Sequence, residues 1–135
     1  MMEANHVIQG AVPSHLEVYF KSCSLMTNCE EISFLGALLA NNGISPRTGE
    51  QLIEAKDVRV IRALMTTCGM YDYSGEFALR VGFPAKSGVG GGIMGVVPRR
   101  LGIGTYCPAL DQKGNSICGL RAMEYLSDSL DLSLF

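Results

Sequence analysis

Apolar residues recur at helical spacing along most of this chain, and the break in that rhythm is a single glycine-rich stretch. Residues 1–13 carry no periodicity and read as a flexible tail. Ser14 and Glu17 fit a capping box, in which each side chain accepts the backbone N–H of the other's residue. The helix they open carries Leu16, Tyr19, Phe20 and Cys23 on one face. A second box at residues 27–30 opens a helix predicted to bury Ile32, Leu35, Leu38 and Leu39, with Gly43 placed as its left-handed terminator. Residues 44–50 are turn chemistry. A third helix is predicted over 53–68 from Val58, Ile61, Leu64 and Met65, ending at Gly69.

After a tight connection at 70–75, Asp72 or Ser74 caps a short helix through Phe77, Ala78 and Val81. The glycine-rich run at 82–98 then ends in β-branched residues and reads as a buried strand. Pro98 to Arg100 turns it into a second strand over 101–107. Residues 111–114 are another turn, and Asn115 or Ser116 caps a closing helix with Leu120, Met123, Leu126 and Leu130 in one stripe. About five helices and one hairpin result. A two-stranded sheet is marginal by itself, so this inventory is incomplete.

Composition narrows the classes. At 135 residues and 47% hydrophobic, the chain is one modest domain or part of a larger one. A formal charge of −2, with Arg99-Arg100 the one adjacent basic pair, argues against a nucleic-acid partner. No apolar run reaches the roughly 18 residues of a membrane span, and the amino terminus has no signal-peptide pattern. A cytoplasmic protein with no membrane partner is expected. Cys23, Cys29, Cys68, Cys107 and Cys118 form no C-x-x-C, and His6 and His15 are the only histidines, so no metal site or cofactor is expected.

The chemistry concentrates at 82–98. Lys86-Ser87-Gly88 sets a basic and a hydroxyl group before glycines that let a ligand approach the backbone closely. Gly90 to Gly95 satisfies G-x-G-x-x-G, yet strand and turn residues follow where dinucleotide binding needs a helix. A phosphate loop needs Gly before its Lys, and Ala85 stands there. Tyr71 lies between a helix-ending Gly and an Asp/Ser turn, at an element junction where functional residues gather. For Tyr19 as for Tyr71, the bland alternative is a half-buried ring bonded to backbone.

Four collinear segments, Y-F-K-S-C-S from Tyr19, A-N-N-G from Ala40, C-G-M-Y-D-Y-S-G from Cys68 and P-A-K-S-G-V-G-G-G-I from Pro84, resemble the carboxy-terminal half of the serine-dependent glutaminases. The resemblance implies an α/β chain of the α+β type, a partial β-lactamase/transpeptidase-like fold with antiparallel strands flanked by helices. It makes 14–135 the carboxy-terminal part of a glutaminase domain, acting on L-glutamine in a homo-oligomer, a dimer or tetramer. By position it assigns substrate contact to Tyr19, catalytic proton transfer to Tyr71, and an oxyanion-binding N–H to Val89. Lys86, Ser87 and Gly88 correspond to the K-T-G element of the wider fold, as supporting residues.

One departure stands out. The family nucleophile lies in S-x-x-K, and the residues three places before Lys21, Lys56, Lys86 and Lys113 are Val18, Ile53, Phe83 and Leu110. The chain alone is therefore expected to be inactive. The other expectations are a non-catalytic module that assembles with glutaminase subunits and a β-lactamase-like acylase of different specificity.

Overall fold

In a computed structural model, Asn5, Val7 and residues 10–135 are described, so most of the expected tail lies outside the described residues. Five helices, α1 (Val12–Cys23), α2 (Cys29–Ala40), α3 (Ala55–Cys68), α4 (Ser74–Arg80) and α5 (Ile117–Leu130), accompany three strands, β1 (Ala85–Ser87), β2 (Gly92–Val97) and β3 (Leu101–Tyr106). The sheet is antiparallel in the order β1-β2-β3. The expected fold class holds, and the incomplete inventory is resolved by one more strand. The run at 82–98 is two strands joined by a turn at Gly88–Gly91, closed by Gly88 N–H to Gly92 O and Gly91 N–H to Gly88 O, each at 2.9 Å. Glycines between two apolar runs are a hairpin signal, and the expectation of a single strand is corrected.

Strand alternation sorts the core into two layers. Ile93, Val97 and Ala85 point to one face, where Met70, Phe77, Val81, Phe83, Met123 and Leu132 complete a buried cluster. Val96 points to the other, against Leu39, Ala40, Val58 and Met65 of α2 and α3. The segment after α5 is locked in place by buried Leu132 and by Leu134 N–H to Gly82 O at 2.9 Å.

Helix α2 packs on β3 through small residues. A Cβ on Gly102 would land on the backbone of Ser33, Gly36 and Ala37, and one on Gly104 on Cys29 O and Ser33 N. The contact stripe is thus Cys29, Ser33, Gly36 and Ala37, and Leu35 on another face is exposed, as are Leu64 of α3 and Leu130 of α5. Leu35 was expected to be buried, and Leu64 and Leu130 to share the apolar stripes of their helices. Apolar spacing identified the helices, while the faces they dock with are set by how closely backbone can approach backbone.

Two helix starts also differ from expectation. The α2 box is formed by Asn28 and Glu31, with Glu31 N–H to Asn28 Oδ1 at 3.0 Å and Asn28 N–H to Glu31 Oε2 at 3.3 Å. α1 begins at Val12, because Pro13 supplies a helical φ at the first turn. Ser14 Oγ donates to Ala11 O, and Glu17 pairs with Lys21 at 2.7 Å in place of the expected box. No residue of α1 is buried. Among the described residues, no helix is long and apolar enough to cross a membrane.

Candidate active site

Tyr71 opens a 3₁₀ turn, Tyr71–Tyr73, with φ +53°, a left-handed conformation costly for a bulky side chain. Buried Ser74 holds it there. Its Oγ donates to Tyr71 O at 2.8 Å and accepts Met70 N–H at 3.0 Å. Asn115 Nδ2, fully buried, donates to Met70 O at 3.3 Å. Met70 N–H, Met70 O and Tyr71 O, the backbone groups beside the strained φ, therefore each have a side-chain partner.

Strand β1 brings the second set of groups. Gly69 O accepts Ser87 N–H at 2.9 Å, and a Cβ on Gly69 would collide with Ala85 O, so this junction needs glycine to lie against the strand. Alternation turns Ala85 and Ser87 inward and leaves Lys86 on the opposite face. Lys86 Nζ sits 4.9 Å from the Tyr71 ring centroid and donates to Ser87 O. Partial burial lowers the Lys86 ammonium below the usual lysine range, and Cys68 pulls it back up.

The β1–β2 turn carries Val89, exposed, with its N–H outside the two bonds that close the turn. Gly114 seats both partners together: a Cβ there would lie 3.8 Å from Tyr71 Cε2 and 3.9 Å from Val89 Cγ1. The loop holding Gly114 is shaped by Asp111 Oδ1, which accepts Lys113 N–H and Asn115 N–H at 2.9 Å each.

Tyr71, Lys86 and Val89 therefore converge, with Ser87 and Gly88 in the strand and turn between them. Tyr19 does not join them. It lies exposed on α1, its ring 6.0 Å from that of Phe20, and the neighbouring Cys23 thiol raises its pKa. Sequence reasoning missed the roles of Ser74 and Asn115. It treated both as candidate helix caps, and only Ser116 caps α5, accepting Gly119 N–H at 3.2 Å. No spacing rule marks a side chain that reaches another element's carbonyl.

An antiparallel sheet between helices, with a strained tyrosine and a lysine beside a glycine turn, defines a partial β-lactamase-like arrangement. The family model described as Glutaminase matches residues 1–135, and the chain belongs to that family. It is 54% identical over 134 residues to Glutaminase 2 of Clostridium perfringens and 49% identical over the same length to a Glutaminase of Clostridium botulinum. Each match covers 99% of this chain and 44% of the relative, so the chain spans less than half the length of these curated relatives. A Bacillus subtilis glutaminase, solved as a covalent complex with 5-oxo-L-norleucine, superposes with a TM-score of 0.96 at 40% identity, over 99% of this chain and 48% of that one.

Proposed function

We propose that this chain supplies the carboxy-terminal part of a glutaminase active site, and that the serine nucleophile comes from a segment not contained in it. In the assembled site that serine attacks the side-chain amide carbon of L-glutamine. The oxygen's developing charge meets the Val89 N–H, a fixed backbone donor on a turn. Tyr71 carries the proton to the departing ammonia, and water then hydrolyses the glutamyl ester to L-glutamate. Lys86 sets a cation on the Tyr71 ring. The observation that carries this reading is the held left-handed Tyr71 beside Lys86 and Val89.

Tyr19 has the substrate-contact role that the family resemblance gives it. Because α1 buries nothing, that role needs α1 to be seated by residues outside this chain or by a second copy. The exposed Val18, Tyr19 and Phe20 suit a homo-oligomer contact. The five unbridged cysteines are in keeping with a cytoplasmic location.

Ammonia release from L-glutamine tests the reading, with the purified chain alone and mixed with the amino-terminal portion of the Clostridium perfringens relative. No release alone is expected, with turnover in the mixture falling about 100-fold or more on Tyr71→Phe. Turnover by the chain alone, abolished by the same change, would place the nucleophile within these residues and end the half-site reading. Co-elution of the two pieces without turnover would favour a non-catalytic assembly module instead, a reading supported by the exposed apolar side chains of α1.

A further inference from the structure

Cys107 follows the last residue of β3, and Cys118 lies in the first turn of α5. Two bonds draw these elements together, Ser116 Oγ to Cys107 O at 2.8 Å and Ile117 N–H to Ala109 O at 2.9 Å, and the same Ser116 Oγ caps α5 by accepting Gly119 N–H. Ser116, whose Oγ donates to Cys107 O, stands two residues before Cys118, so the two cysteines flank one junction; both are unbridged, and Cys118 is exposed to solvent while Cys107 is half-buried. Neither takes part in the glutaminase reading above.

The two thiols are not equivalent. A backbone hydrogen bond from Ala109 and the neighbouring Cys118 thiol hold Cys107 below the usual cysteine range. Cys118 is held above it by Cys107, with Arg121 pulling it partly back. Thiolate character belongs to Cys107, and Cys118 is placed to resolve it.

We propose that Cys107 and Cys118 are a peroxide-oxidisable dithiol, a modification site that closes to a disulfide between the end of β3 and the first turn of α5. The Cys107 thiolate attacks one oxygen of hydrogen peroxide. The O–O bond breaks, hydroxide leaves and takes up the thiol's former proton as water, and Cys107 becomes a sulfenic acid. Cys118 then attacks the sulfenic sulfur and gives up its proton. The S–O bond breaks and the hydroxide leaves as a second water. Two thiols are oxidised by two electrons, and one peroxide is reduced to two waters.

The bridge would act on the loop it spans. Residues 108–117 include Gly114, which lies against Tyr71 and Val89, and Asn115, which bonds Met70 O beside Tyr71. Drawing the sulfurs to the ~2.05 Å of a disulfide tightens this loop on the site. The consequence for catalysis rests on the proposed function, whereas the disulfide itself does not.

The test is peroxide titration of the purified chain, read by intact mass and peptide mapping. Expected is a mass lower by two hydrogens, a Cys107–Cys118 cross-linked peptide, and reversal by dithiothreitol. Cys118→Ser should instead accumulate a dimedone-reactive sulfenic acid at Cys107, and Cys107→Ser should give neither product. Bridges to Cys23, Cys29 or Cys68 in place of this pair, or sulfenic acid forming first at Cys118, would overturn the proposal. Slower amide exchange at Lys113 to Asn115 in the oxidised chain supports the coupling to the loop, and unchanged exchange there overturns it.

Discussion

Lys86 Nζ lies 4.9 Å from the centroid of the Tyr71 ring, although the two residues belong to different elements. Lys86 comes from the middle of a three-residue strand and Tyr71 from a 3₁₀ turn. The bond from Ser87 N–H to Gly69 O joins those elements one residue from Lys86 and two from Tyr71. A left-handed tyrosine costs of the order of 1–2 kcal/mol, so its surroundings must hold it. Ser74 and Asn115 provide that hold.

Ser74→Ala removes both the donor to Tyr71 O and the acceptor of Met70 N–H, at a buried position. The loss expected in urea unfolding is about 1–3 kcal/mol. Tyr71→Phe keeps the ring and both backbone partners, and its midpoint is expected to stay close to the parent's. Equal losses in the two variants would mean that Ser74 does not hold the turn.

Lys86 makes stability depend on pH in a known direction. Its folded pKa is lowered, first by desolvation, with Cys68 raising it in part. Between that lowered value and the usual ~10.4 of an unfolded lysine, the unfolded chain binds more protons, so stability rises with pH across the window. Lys86→Met removes that rise. Parallel stability curves for parent and variant above neutral pH would contradict the assignment.

Much of this was legible in the residues. The helical spacing finds α2, α3 and α5, the residues themselves single out Tyr71 and Lys86, and Val89 enters only through the family resemblance. What stayed hidden shares one cause. The exposure of Leu35, the split of the glycine run into β1 and β2, and the reach of Asn115 to Met70 O depend on which backbones approach each other. A one-dimensional pattern records side-chain polarity, and it is silent on backbone proximity. The separation of Tyr19 from Tyr71 is of the same kind, because no apolar count reveals that α1 buries nothing.

Gly102→Val tests the close docking of α2. The new side chain would meet the backbone of Ser33, Gly36 and Ala37, which cannot yield as a flexible side chain does. The expected loss is at or above the ~3 kcal/mol upper end usual for overpacking. Gly75→Ala, in α4 with nothing near its added Cβ, should gain about 0.5 kcal/mol. Thermal unfolding of the pair checks the contrast, and a neutral Gly102→Val would refute the packing described.

Arg62 offers a test on the other side of the sheet. Its guanidinium, from α3, donates to Leu39 O, Ala40 O and the Asn42 side chain, satisfying the carbonyls at the end of α2. Burial lowers its pKa first, and neighbouring Arg99 lowers it further, yet an arginine stays charged at any ordinary pH. The charge therefore also opposes the negative end of the α2 dipole. Arg62→Met keeps much of the apolar stem and removes every donor. We expect it to lose about 1–3 kcal/mol, chiefly from Leu39 O losing its Arg62 donors, since Ala40 O keeps the Arg99 N–H. Amide exchange should quicken first at Asn41 and Gly43, whose N–H groups bond Ala37 O and Leu38 O. Arg62→Lys should recover only part of the loss, since one ammonium cannot reach three acceptors in a fixed fork. Full recovery by lysine would show that charge alone secures the end of α2.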